Sequence, residues 1–222
     1  MQPQKKDARL ARVAQFVKDR FDQAAIPPPI KNPSFTMAYR WEHTLRVAQY
    51  GKRIAEEEDA DVELVVAACL LHDIAYADPG DEEQGGIEHG RIGARISRSI
   101  LRKMGYTAKE TENICYAIAL HVDGRADFDH PETLESEIVS DADNIDRFGA
   151  YRIIQWCLGE IQNYDRLIEM LKKRIERLEG YRVNSPLETK TGQKLFAQRL
   201  DRQIAVFKAL IEESALTKLP QF

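Results

Sequence analysis

The sequence predicts an all-α fold, and more specifically an irregular helical bundle. Along most of the chain, apolar residues recur about every 3.6 positions, the spacing that places them on one face of a helix. No segment shows the alternation of apolar and polar residues that is typical of a half-buried strand. Apolar heptads do not persist over the roughly three or four repeats that a coiled coil needs, so a coiled coil is excluded.

The first three helices follow from their apolar faces and their end signals. We expect one helix over about 7–25, because the prolines at 27–29 cannot continue it. A second is predicted over about 37–57. A third is predicted over about 61–75, with Asp61 as its N-cap.

An acidic, glycine-rich segment at 78–86 follows and predicts a loop, either a lid over a site or an ordinary surface loop. The next helices are expected over about 88–104, 107–122 and 132–148. Gly105 is placed to end the first of these three, as C′ glycines do.

Further helices are predicted over about 150–161, 164–178 and 191–216, separated by Gly180 and Pro186. The capping box Thr107-Ala108-Lys109-Glu110 supports the start of the helix at 107.

Length and composition point to one ordinary domain. A chain of 222 residues with 43% hydrophobic content can bury a core, and disorder is excluded. We expect a single domain over 1–222, with its core at about 37–151 and a C-terminal helical extension at about 152–222.

Charge and hydropathy exclude several partner classes. The net charge of −4 argues against a nucleic-acid coat and against a polybasic membrane anchor. The longest apolar run, 64–71, is far shorter than the roughly 20 residues that cross a bilayer. No secretory signal is expected, and Cys69, Cys115 and Cys157 are interpreted as reduced, buried thiols of a cytoplasmic protein.

Several polar side chains fall on the apolar faces of the predicted helices, where uncompensated burial costs several kcal/mol. No matching set of inward Lys or Arg residues is present, so a divalent cation is the expected compensation. Asp143 is turned by about 200° from Asp141 and is expected to point outward. The inward set is His43, His72, Asp73, His89, His121 and Asp141.

Imidazole and carboxylate ligands together suit a divalent transition metal, namely Mn, Fe, Co, Ni or Zn. Six ligands are more than one tetrahedral site uses, and the number of ions, one or two, stays open. Two ions would fit if Asp73 bridged them. In that arrangement one ion is held by His43, His72 and Asp141, and the other by His89 and His121.

The order His43, His72-Asp73, Asp141 resembles the H…HD…D signature of the HD-domain superfamily of metal-dependent phosphohydrolases. The similarity covers about 37–151 and includes the apolar residues before the HD pair and the Asp-rich helix at 141–146. It implies an HD-type helical bundle with extra C-terminal helices, and metal ligation by His43, His72, Asp73 and Asp141. His89 and His121 match the two additional histidines of dinuclear HD proteins.

Two differences from other members of this superfamily narrow the range of expected substrates. Tyr76 stands where HD-GYP phosphodiesterases have a lysine, and Tyr76-Ala77 stand where guanosine-tetraphosphate hydrolases have a Glu-Asp pair. Both of these substrate assignments are therefore disfavoured.

The resemblance implies hydrolysis of a phosphoester or phosphoanhydride, in a nucleotide or another small phosphorylated metabolite, by a metal-activated water. Asp73 is the expected catalytic residue, since it would position the ions and orient the water. No Ser-His-Asp or Cys-His arrangement competes with this mechanism. An HD-type di-iron oxygenase and a non-catalytic regulatory HD module remain as alternatives.

Substrate phosphate requires cations near the site. Arg46 and Arg91 are the candidate substrate-binding residues, and ordinary surface exposure is the alternative for each. Further candidates are Arg125, His130, Arg147 and Arg152. The charged helix at 166–177 is interpreted as a solvated face whose apolar residues cover the core or meet a second subunit in a homodimer.

Overall fold

The computed structural model describes residues 3–24, 36–77, 86–160 and 164–217. Within these ranges the chain is helical and contains no strand, so the all-α prediction is confirmed. The helices are α1 Pro3–Gln23, α2 Met37–Glu57, α3 Val62–Leu71, α4 His89–Lys103, α5 Ala108–Leu120, α6 Leu134–Arg147, α7 Ala150–Glu160, α8 Tyr164–Val183 and α9 Lys190–Ser214. Short 3₁₀ helices occur at Ile74–Ala77 and Ala215–Thr217.

Three helix ends differ from the sequence prediction by four or more residues. α1 begins at Pro3, four residues before its predicted start at about 7. α3 ends at Leu71, earlier than expected, and a 3₁₀ helix begins three residues later. α8 continues through Gly180, because a glycine inside a helix costs only about 1 kcal/mol and does not by itself end it. The prolines at 27–29 and residues 78–85 of the predicted loop lie outside the described residues.

Polar caps define the helix starts as expected. The Asp61 carboxylate accepts hydrogen bonds from the backbone of Glu63 and Leu64 at the start of α3. Thr107 and Glu110 form the predicted capping box of α5. These caps satisfy backbone N–H groups that have no partner within the helix.

α3 is the central helix of the bundle. It packs against α1, α2, α5 and α6, and nearly all of its residues are buried. The two ends of this helix differ in chemistry, because Asp61 caps one end and His72 follows the other. A helix that is apolar on nearly all sides is buried in the core. His72 and Asp73, which follow its last residue, are therefore buried as well.

α1 is held against the core by a buried arginine. Arg9 is 1% exposed, and its Nε donates to Glu63 on α3 at 2.7 Å. Its Nη1 donates to the carbonyl of Gly105 at 3.0 Å, and its guanidinium lies 4.1 Å from the ring centroid of Tyr106. One cation thus joins α1, α3 and the turn before α5.

α4 and α5 approach each other closely at Gly90. A Cβ at this position would lie 2.8 Å from the carbonyl oxygen of Ala119 and 2.9 Å from that of Ile118. The absence of a side chain therefore allows the start of α4 to contact the end of α5. This contact brings His89 next to His121.

None of the helices in the described ranges has both the length and the apolar composition that a bilayer crossing requires. The three cysteines form no disulfide; Cys69 and Cys115 are buried, and Cys157 is partly buried.

Candidate metal centre

Four histidines and one aspartate meet in the interior of the bundle. His43 lies within α2, His72 and Asp73 follow the last residue of α3, His89 begins α4, and His121 follows the last residue of α5. At most 13% of any of these side chains is exposed. The structure therefore brings together five of the six residues selected from the sequence.

The Nε2 atoms of the histidines converge in two pairs. Those of His43 and His72 lie 3.2 Å apart, and those of His89 and His121 lie 3.0 Å apart. Asp73 lies between the pairs. Its Oδ2 is 3.6 Å from His43 and 3.5 Å from His72, whereas its Oδ1 is 3.3 Å from His89 and 3.9 Å from His121.

Two of the histidines are oriented by the helix ends that they occupy. The Nδ1 of His72 donates to the carbonyl of Cys69 at 2.7 Å, and the Nδ1 of His121 donates to the carbonyl of Ile118 at 2.7 Å. Carbonyls in the last turn of a helix have no partner within it, so an imidazole just after the helix can satisfy one of them. The helix ends therefore hold these rings in place.

The other two histidines also use Nδ1 as a donor. His89 donates to the carbonyl of Gly86, and His43 donates to Asp146 Oδ2 at 2.7 Å. A hydrogen-bond acceptor at Nδ1 places the ring proton there and leaves Nε2 as a lone pair. In the neutral form of each ring, the Nε2 lone pair is then directed into the centre.

This donor set fits a divalent transition metal. Facing Nε2 lone pairs cannot hydrogen-bond to each other and require a proton or a cation between them. Two groups of residues have ligand atoms within 4.8 Å of one another, and these groups mix imidazole with carboxylate, which suits such metals. The groups are His43, His72 and Asp143, and His72, Asp73 and His121.

The expectation for the last aspartate of the motif is corrected by the structure. Asp143, expected to point outward, is 6% exposed, and its Oδ1 lies 3.2 Å from His43 Nε2. Asp141, expected to join the histidines, instead accepts from the backbone N–H of Glu188 at 3.0 Å and from the Thr189 hydroxyl at 2.7 Å. The physical reason is that α6 is buried on two sides, by α2, α3 and α5 on one and by α9 on the other.

The electrostatics of the centre depend on burial and on close charges. Burial lowers the pKa of His121 to about 4, and the imidazole of His72 acts in the same direction. Burial also lowers the pKa of His43, but hydrogen bonds to Asp143 and Asp146 outweigh it and raise the pKa to about 9. Near neutral pH His121 is thus a neutral imidazole, whereas a cation binding His43 would replace a proton.

Asp73 remains ionised although burial opposes it. Electrostatic interactions with the His72 imidazole and the Arg40 guanidinium hold the pKa of this carboxyl well below its usual value. Arg40 Nη1 donates to Asp73 Oδ2 at 2.6 Å, and its guanidinium lies 3.8 Å from the ring centroid of Tyr76. Arg40 is three positions before His43 on α2, so helical spacing could have identified it.

Arg46 is linked to His43 through Asp146. Its Nε donates to Asp146 Oδ1 at 2.7 Å, and Asp146 in turn accepts from His43. The guanidinium also lies 4.3 Å from the ring centroid of Tyr151. The structure therefore shows Arg46 holding the aspartate that orients His43. Asp146 was not selected from the sequence, although it lies in the same motif.

Arg91 uses all of its N–H groups in hydrogen bonds within the protein. Its guanidinium donates to both oxygens of Glu88, to Asp123 at 3.0 Å, and to the carbonyls of Ile87 and Arg125. These contacts join the start of α4 to the segment after α5. All of its donors are occupied, so the structure does not leave Arg91 available to a substrate, contrary to the expectation from the sequence.

The remaining cations proposed from the sequence take different positions. The Arg125 residue is exposed, and His130 stacks on Tyr116 with ring centroids 4.7 Å apart. Arg147 Nη1 lies 3.8 Å from Asp143 Oδ2, at the edge of the centre. Arg152 lies on the first turn of α7 and is partly buried.

Sequence comparisons identify related proteins. The family model of the HD domain matches residues 40–147. An uncharacterised protein of Methanocaldococcus jannaschii is 33% identical over 148 residues, which span 60% of this chain and 76% of that protein. Ribonuclease Y of Chloroflexus aurantiacus is 32% identical over 168 residues, which span 74% of this chain. That match covers only 26% of Ribonuclease Y itself.

Solved structures share the fold. A predicted HD superfamily hydrolase from an uncultured Thermotogales bacterium superposes with a TM-score of 0.63 at 22% identity, over 92% of each chain. Bacillus subtilis YpgQ in complex with ADP superposes with a TM-score of 0.61 at 16% identity, over 94% of this chain and 96% of YpgQ. At these identities the likeness concerns the helical architecture.

Proposed function

The chain belongs to the HD-domain family, and we propose that it is a metal-dependent phosphohydrolase acting on a phosphoester or phosphoanhydride of a small metabolite. The observation that carries this proposal is the position of Asp73. Its two oxygens face the Nε2 atoms of two different pairs of imidazoles in the interior of the bundle. Such a carboxylate is suited to bridge two cations.

The ligand assignment follows from the distances. In the proposed dinuclear centre, Asp73 would help to hold both ions, since one of its oxygens faces His43 and His72 and the other faces His89 and His121. Asp143 takes the place expected for Asp141, because it lies 3.2 Å from His43 Nε2. The first ion is assigned to His43, His72, Asp73 and Asp143, and the second to Asp73, His89 and His121.

The metal, when bound, supplies an activated water and neutralises negative charge on a phosphoryl group. The residues of the chain prepare the site for this chemistry. Asp146 and three backbone carbonyls hold the imidazoles in one tautomer and one orientation. Arg40, fixed between Asp73 and Tyr76, adds a positive charge where phosphoryl oxygens would approach.

The comparisons support a hydrolase with a phosphorylated substrate. Solved relatives with the same fold are described as HD superfamily hydrolases. YpgQ was solved with ADP, a ligand that contains a phosphoanhydride. The two specific substrates disfavoured by Tyr76 remain disfavoured, since Tyr76 lies beside His89, with its hydroxyl 3.4 Å from Nδ1.

The proposal is tested by metal analysis followed by turnover of p-nitrophenyl phosphate and bis-p-nitrophenyl phosphate with Mn, Co or Ni. We expect Asp73→Ala to lose both bound metal and turnover. Asp129→Ala removes the same charge from an exposed loop residue and should change neither. Full activity and metal content in Asp73→Ala would contradict the proposal. Iron-dependent oxygen consumption without phosphate release would favour the oxygenase, and bound metal without any turnover would favour a regulatory module.

A further inference from the structure

Three arginines lie near the proposed metal centre. Arg40 Nη1 is 2.6 Å from Asp73 Oδ2, and Arg147 Nη1 is 3.8 Å from Asp143 Oδ2. Each of these two arginines therefore contacts a carboxylate of the centre. Arg152, on the first turn of α7, is close enough to Arg40, Arg147 and Asp143 for their charges to affect it.

Arg152 differs from its neighbours in having no carboxylate partner among the described residues. Its Nε donates to the carbonyl of Arg147 at 3.4 Å, and its Nη1 donates to Gln155 Oε1 at 3.1 Å. Both acceptors are neutral. Burial and the nearby charges of Arg147 and Arg40 lower the pKa of Arg152, which shows that its surroundings disfavour the positive charge. A partly buried guanidinium without an anion is costly.

The same region contains buried donors that lack acceptors. Arg40 Nε and Gln155 Nε2 are both buried without a hydrogen-bond partner. Gln155 must turn its oxygen towards Arg152, because a guanidinium has only donors, and this leaves its amide nitrogen unsatisfied. Each such group destabilises the protein, because it has given up its hydrogen bonds to water without gaining others. A group with several acceptor oxygens and a negative charge would satisfy these donors.

We propose that Arg152, with Arg147 and Gln155, forms a subsite for a second phosphoryl group next to the phosphoryl group bound at the metal centre. This inference rests on the proposed function and specifies its substrate class, a molecule with two adjacent phosphoryl groups. A guanidinium presents a planar set of donors that matches phosphate oxygens. A simple monoester would leave Arg152 without an anion.

The test compares ligands with one and two phosphoryl groups on the full chain, loaded with Mn²⁺ and freed of excess ion. Inorganic phosphate and methylenediphosphonate are titrated by calorimetry, and metal content is measured afterwards to show that the diphosphonate has not removed the ion. We expect methylenediphosphonate to bind at least about tenfold more tightly than phosphate. Phosphonoacetate, which has a carboxylate in place of the second phosphoryl group, should bind less tightly than the diphosphonate.

Arg152→Gln should lose that tenfold difference while its affinity for phosphate stays within about twofold of the wild-type value. Arg95→Gln is the matched control, because Arg95 is exposed and pairs with Asp127 at 2.8 Å on the outer side of α4. Gln155→Glu is a second variant, which keeps Arg152 and places a carboxylate against it. It should weaken the binding of methylenediphosphonate more than the binding of phosphate. If Arg152→Gln does not fold, Gln155→Glu still tests whether the subsite exists.

The outcomes separate the two proposals. Equal affinity of the wild-type protein for phosphate and methylenediphosphonate, or an equal loss of both in Arg152→Gln, contradicts the subsite and leaves the phosphohydrolase proposal intact. Failure of the Mn²⁺-loaded wild-type protein to bind either probe contradicts both proposals.

Discussion

Asp141 and Asp143 lie two positions apart on α6, and both are buried, but their carboxylates point to opposite sides of the helix. Asp143 faces His43, with 3.2 Å between Oδ1 and Nε2. Asp141 faces the start of α9, where it accepts from the backbone and hydroxyl groups of Thr189. One aspartate therefore faces the histidines of the candidate metal centre, and the other takes part in the packing of α9.

This arrangement predicts opposite effects of two equivalent substitutions. Asp143→Asn should reduce metal affinity by at least about tenfold, with a smaller effect on stability. Asp141→Asn should leave metal content unchanged and reduce the free energy of unfolding by about 1–3 kcal/mol, because it disturbs buried hydrogen bonds to Glu188 and Thr189. Metal titration and denaturant unfolding of both variants measure the two effects. Loss of metal in Asp141→Asn with normal metal in Asp143→Asn would reverse the assignment.

The hydrogen bond from His43 to Asp146 predicts an effect at a distance from the ligands. Asp146→Ala removes the acceptor that places the ring proton on Nδ1, and it also frees Arg46. We expect metal affinity to fall about 10–100-fold, as is typical of groups that orient metal-bound imidazoles. Competition with a chelator measures the change, and Asp129→Ala provides a control on an exposed aspartate. Unchanged affinity in Asp146→Ala would show that the packing of α2 alone holds the ring.

The close approach of α4 to α5 predicts a selective loss at the second proposed ion. Gly90→Ala would place a Cβ 2.8 Å from the carbonyl oxygen of Ala119 and push the start of α4 away. His89 would then separate from His121, and metal content should fall from about two ions towards one, as in His89→Ala or His121→Ala. Elemental analysis measures the stoichiometry.

Gly105→Ala is the control for that substitution. Gly105 has a φ of +88°, and a Cβ added there would have no neighbouring atom within 4 Å, so alanine strains only the backbone. It should cost about 1 kcal/mol of stability and leave the metal content unchanged. If Gly90→Ala retained full stoichiometry, the contact between α4 and α5 would not be what positions His89.

The buried pair of Arg9 and Glu63 predicts a non-additive pair of substitutions. Arg9→Met should reduce the free energy of unfolding by about 3–5 kcal/mol, because it removes the buried guanidinium that pairs with the Glu63 carboxylate at 2.7 Å. The double variant Arg9→Met with Glu63→Leu should recover most of that loss, since apolar side chains of similar size do not need pairing. Denaturant unfolding of the single and double variants gives the coupling. A double variant less stable than Arg9→Met would show that the ion pair contributes more than its burial costs.

Helical spacing predicted much of the site. The faces of α2 and α4 and the ends of α3 and α5 are set by local periodicity, so the inward direction of His43, His72, His89 and His121 follows from the sequence. Asp73 is adjacent to His72 and follows from the same reasoning. The roles of Arg46 and Arg91 were not predictable in this way, because their carboxylate partners Asp146 and Asp123 come from distant parts of the chain.

The sequence by itself determined the helices, their caps and the four inward histidines, because each depends on residues within a few positions of one another. Only the tertiary structure decided which aspartate of α6 joins them. A helix covered on one side has one buried face that periodicity can identify. α6 is covered on two sides, so Asp141 and Asp143 are both buried, and their roles depend on which helices pack against each side.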